Sequence, residues 1–104
     1  MKRFGFLVVL LISLALASGP VFAGEPSVEF GKQLFNDPAL GGSTNDKSCN
    51  TCHNNGSGLE RAGAKKNLTK TIGRCIRGPL GGKKMDDGSA EMGSLKMYIR
   101  SLSK

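Results

Sequence analysis

Cys49-Asn50-Thr51-Cys52-His53 is the stretch on which the rest of the chain depends. Two cysteines two residues apart, with a histidine directly after the second, form the C-x-x-C-H pattern of covalent haem attachment. The spacing has a chemical reason. Residues three apart share one face of a helical turn, so both thiols can reach the two vinyl groups on one edge of a porphyrin and form two thioether bonds. His53 follows on the same turn, where a neutral imidazole nitrogen can bind the iron as proximal ligand. A zinc or iron–sulfur site usually needs four ligands, and outside the motif the chain offers one cysteine and no second histidine. The pattern therefore predicts one haem c, held by Cys49 and Cys52 with its iron on His53.

Working outward, the flanking sequence reads as helix and loop with no strand-like alternation. Ser27 can cap a first helix in which Val28, Gly31, Leu34 and Phe35 recur at spacings of three and four, and Asn36-Asp37-Pro38 ends it. A glycine inside a helix costs about 1 kcal/mol against alanine, so Gly31 calls for a close approach by another helix. The stretches 37–47 and 54–66 are polar, glycine-containing loops. Asn67 can cap a second helix with Leu68, Ile72, Cys75 and Ile76 on one side, which turns Cys75 inward and stops at Gly78-Pro79. A loop over 80–88 contains Met85. Ser89 then caps a last helix to about Leu102, with Met92, Leu95, Tyr98, Ile99 and Leu102 on one side, and this is the natural partner for Gly31.

The beginning of the chain reads differently. Lys2 and Arg3 precede an apolar run from Phe6 to Ala17 broken only by Ser13, and Gly19-Pro20 leads to Val21-Phe22-Ala23. This is the pattern of a signal peptide over residues 1–23, cleaved after Ala23, and the run is short for a spanning helix. The expected product, residues 24–104, is a single domain with no stable membrane insertion, exported to the periplasm. A core that small is marginal without a staple, and a covalent haem supplies one. Loss of Lys2 and Arg3 lowers the net charge from +7 to +5. Export makes nucleic acid an unsuitable partner for this basic surface and favours redox proteins with acidic docking surfaces. The oligomeric state is not encoded in any of these patterns.

Three cysteines are an odd number for an oxidising compartment, which leaves few thiols free. With Cys49 and Cys52 on the haem, Cys75 is the distal iron ligand, a buried small side chain, or half of an intermolecular disulfide. If it is not the ligand, Met85 takes that place. Met92 sits on the packed side of the last helix and belongs to the core.

Three separated features resemble class I c-type cytochromes: Gly31 and Phe35 four apart in the first helix, the Cys49-to-His53 motif, and Leu95-x-x-Tyr98-Ile99 in the last. The resemblance implies a small all-α fold in which the N- and C-terminal helices cross at the glycine and pack around one covalent haem. It also implies a distal methionine a few residues before the last helix, where Met85 stands. The stretch Phe30-Gly31-Lys32-Gln33-Leu34-Phe35-Asn36-Asp37-Pro38 is similar to the start of dihaem cytochrome c peroxidases, although one haem motif is present here. The run from Cys75 through Gly78-Pro79-Leu80-Gly81-Gly82-Lys83 to Met92 resembles cytochromes of sulfur oxidation and thiosulfate dehydrogenases, in which a cysteine at the position of Cys75 can bind the iron.

These readings converge on an exported monohaem c-type cytochrome acting as a one-electron carrier rather than an independent enzyme. The alternative is the haem subunit of a sulfur-compound oxidising or peroxidase-type system. A third class, a ligand sensor, would leave the distal position open.

Overall fold

Ser27 starts the first helix as its position predicts: its hydroxyl accepts the Phe30 N–H at 3.0 Å. The computed structural model describes residues 25–103, so the expected signal peptide and its cleavage after Ala23 lie outside the described residues. Helix α1 spans Val28–Phe35, and Asn36 closes it by donating its N–H to the Lys32 and Gln33 carbonyls, each at 3.2 Å. An eight-residue helix is unstable alone, so its order comes from packing. The motif forms a one-turn helix α2, Cys49–Cys52; α3 spans Leu68–Arg77 and α4 spans Ala90–Ser101. Ser89 caps α4 by accepting the Met92 N–H at 3.1 Å, and Glu91 and Arg100 stand at the ends where the helix dipole favours them.

The crossing of α1 and α4 is made at Gly31. A Cβ placed there would stand 1.9 Å from the Ser94 carbonyl oxygen and 2.8 Å from the Tyr98 Cβ, so no larger residue fits without parting the helices. Just beside it the Phe35 and Tyr98 rings meet edge to face, their centroids 5.1 Å apart. The Ser27 N–H adds a bond to the hydroxyl of the fully buried Ser94 at 3.0 Å. Phe35, Ile76, Met92 and Leu95 form the centre of the core, each 1% exposed or less.

Two expectations need adjusting. Asn67 does not cap α3 with its side chain; the Leu68 N–H bonds the Lys65 carbonyl at 3.3 Å, because the chain enters the helix straight from a preceding turn. The stretches read as loop also carry short 3-10 turns at Leu40–Gly42, Asn54–Gly56 and Ala62–Ala64. No strand occurs among the described residues, so the all-α, cytochrome c-like expectation holds.

Candidate haem site

The motif turn is built by local hydrogen bonds. The Ser48 N–H donates to the Thr51 hydroxyl at 2.9 Å, and the His53 N–H closes the helical turn on the Cys49 carbonyl at 2.9 Å. These bonds hold Cys49, Cys52 and His53 in one short segment. The chain then folds back under the imidazole, with the Gly56 N–H on the His53 carbonyl at 2.7 Å. As a result the His53 Nδ1 lies 3.0 Å from the Ser57 carbonyl oxygen. A carbonyl can only accept, so Nδ1 is the donor, and in the neutral ring that leaves Nε2 with its lone pair. That is the orientation a metal-binding imidazole needs.

Cys49, Cys52 and His53 line a cleft of about 710 Å³, counting the part that opens to solvent. Phe35, Leu59, Leu68, Ile72, Leu95 and Ile99 give it aliphatic and aromatic walls. Cofactor sites are mostly apolar with a few placed polar groups, and this lining has that character. The thiols, the imidazole and the apolar walls are the donor set and surroundings that a covalent haem requires, so the residues present fit that group.

Cys75 lines the same cleft from α3. Its side chain is exposed rather than packed in the helix interface, unlike its neighbour Ile76, which is fully buried. Cys75 and the motif cysteines are close enough to act on one another: burial first, and then the charge of Cys75, push the Cys49 thiol from 9.0 up to about 11. Cys49 is therefore a neutral thiol at physiological pH, which slows the thiolate chemistry of disulfide exchange. Met85 is partly buried against the core and is not among the residues lining the cleft, and Met92 is fully buried.

The di-haem cytochrome c peroxidase family profile matches residues 25–89, a span that takes in α1, the motif, α3 and the segment up to α4. The chain belongs to the di-haem cytochrome c peroxidase family. Membership makes it a haem-binding cytochrome and agrees with the likeness of residues 30–38 to the start of such peroxidases. No curated protein and no solved structure matches the chain. The family is described by two haems, whereas these 104 residues contain a single histidine. No helix among the described residues is long and apolar enough to cross a membrane.

Two further residues join the loop before the motif to the turn after α3. Ser43 and Asn45 lie in the polar stretch 37–47, where the Ser43 hydroxyl donates to the Leu80 carbonyl and the Asn45 side-chain amide donates to the Pro79 carbonyl at 3.1 Å. Serine and asparagine two apart signal a local turn. Neither carries any mark of a partner so far along the chain.

Proposed function

We propose that this chain is an exported monohaem c-type cytochrome that carries single electrons, with Cys49 and Cys52 as thioether anchors, His53 as proximal ligand and Cys75 as distal ligand. The observation that carries the reading is one apolar cleft lined by both motif cysteines, by His53 and by Cys75, with Met85 away from it. The haem supplies an iron that alternates between ferrous and ferric states. What the chain adds is order. His53 is oriented by the Ser57 carbonyl, the aliphatic walls would shield much of a bound haem, and His53 and Cys75 would hold its iron in both oxidation states, so that little need rearrange when the charge changes. An anionic thiolate favours the ferric state and lowers the potential relative to a thioether.

Partners of this carrier are redox proteins with acidic docking surfaces. From Arg61 to Lys84 the sequence holds eight cations and no carboxylate. In α3, Leu68, Thr71, Ile72 and Cys75 line the cleft while Lys70, Arg74 and Arg77 are exposed, so these cations stand one helix away from the cleft. Such a surface speeds encounter with an acidic protein in a salt-sensitive way. Periplasmic localisation rests on the leader-like pattern of residues 1–23.

The test is the purified holoprotein. It should contain one haem c per chain, give a low-spin ferric spectrum, and turn over neither hydrogen peroxide nor thiosulfate above the background of free haem. The family match favours one second reading, the haem subunit of a peroxidase-type system. Peroxide turnover by the isolated protein, or only after addition of a catalytic partner, would select it.

A further inference from the structure

The cleft is bounded by segments remote in sequence, and one side chain ties two of them together. The Asn45 Oδ1 accepts the Lys47 N–H at 3.1 Å, bracing the backbone that runs directly into Ser48 and the Cys49–His53 motif. Its Nδ2 donates to the Pro79 carbonyl at 3.1 Å, in the turn that follows α3. The two partners fix the amide orientation, since a flipped amide would set oxygen against oxygen and donor against donor. The turn it grips is continuous with Cys75: the Leu80 N–H bonds the Cys75 carbonyl at 3.1 Å, and Pro79 and Leu80 line the cleft beside Cys75.

Two neighbours reinforce the grip. Ser43 is buried and its hydroxyl donates to the Leu80 carbonyl, one residue further along the same turn. Gly81 has φ +68°, and a Cβ there would stand 3.2 Å from the Asn45 Nδ2, so glycine at this position leaves room for the amide. Asn45 itself does not line the cleft.

We propose that Asn45 is a positioning residue that sets the span of the haem cleft, holding the Cys75-bearing turn in register with the Cys49–His53 motif. The proposal rests on the reading of Cys75 as distal ligand. Without the amide bridge, the turn after α3 is held to residues 41–45 by Ser43 and by the Lys83 N–H on the Gly41 carbonyl, and Cys75 is free to leave the iron more often.

The test uses matured, haem-loaded protein. Asn45→Asp keeps the acceptor for Lys47 and replaces the donor to Pro79 with an oxygen, so it breaks only one side of the bridge. Asn45→Ala removes the bonds to Pro79 and Lys47 without adding a charge, and serves if the first variant matures poorly. Asn36→Ala is the control, since it loses only a bond to the Lys32 carbonyl at the end of α1. Either bridge variant should bind carbon monoxide in the ferrous state at least tenfold faster than wild type and show a second species in the ferric paramagnetic resonance spectrum. The control should match wild type in both. If Cys75→Ala departs from wild type while both bridge variants do not, the positioning role is overturned and the ligand reading stands. If Cys75→Ala itself matches wild type, the ligand reading fails and takes this proposal with it.

Discussion

Cys75 and Met85 differ in position more than in sequence signal. Both follow the haem motif at plausible distances, but only Cys75 lines the cleft, while Met85 packs against the core. Cys75→Ala should therefore change the ferric absorption and paramagnetic resonance spectra and raise the midpoint potential, whereas Met85→Ala should leave both as in wild type. A wild-type spectrum from Cys75→Ala would falsify the ligand assignment. Cys49 carries a separate prediction. Its folded-state pKa of about 11 lies above the ordinary 9.0, so the unfolded chain releases this proton first. Residual structure in the haem-free chain must then weaken as pH rises from 9 to 11. Once Cys49 is a thioether it no longer titrates, so circular dichroism of the holoprotein should lack this slope. An equal slope in both forms would refute the assignment.

The elements are too short to stand alone, and the crossing of α1 with α4 is what gives them stability. Gly31→Ala places a methyl group where the Ser94 carbonyl already is, 1.9 Å away, so the helices must separate. Overpacking of this kind costs on the order of 3 kcal/mol, which in a domain this size lowers Tm by roughly 12–24 °C. A thermal melt of the holoprotein checks it, and an unchanged Tm would mean that the crossing gives way without cost. The third long helix serves differently. Lys70, Arg74 and Arg77 on α3 are exposed, so reversing all three to glutamate should leave the melt within a few degrees. It should slow electron exchange with an acidic redox protein at least tenfold at low salt, the difference shrinking above about 0.5 M salt as screening sets in.

For the whole molecule the decisive quantity is how little core the protein possesses. Among the described residues ten buried apolar side chains surround a cleft that reaches between them, and several, including Phe35, Leu68, Ile72 and Leu95, face both the core and the cleft. In the proposed holoprotein a haem in that cleft would complete their burial and supply the apolar surface that so small a core lacks. Cys49→Ser/Cys52→Ser should abolish covalent haem and with it the cooperative thermal transition seen by calorimetry. Retention of a sharp transition in that variant would mean that the polypeptide folds unaided.

The sequence by itself determined whatever is local. The Cys49–His53 spacing, the Ser27 and Ser89 caps, the termination at Asn36 and the need for a partner at Gly31 all depend on residues within a turn or two of one another, where propensity and hydrogen bonding leave few choices. It also supplied, in residues 30–38, the resemblance to dihaem peroxidases that the family match bears out. Only the tertiary structure decided which of two sulfur side chains lines the cleft, that Cys75 is exposed to it rather than packed inward, and that Asn45 bridges to the Pro79 carbonyl. Those relations join backbone segments more than twenty residues apart, thirty-four for Asn45 and Pro79, and side-chain identity carries no record of the distance at which chain closure will bring them. Cys49-Asn50-Thr51-Cys52-His53 thus carries the haem-attachment pattern in its own spacing, and the packing of α3 and its turn specifies what stands beside it in the cleft.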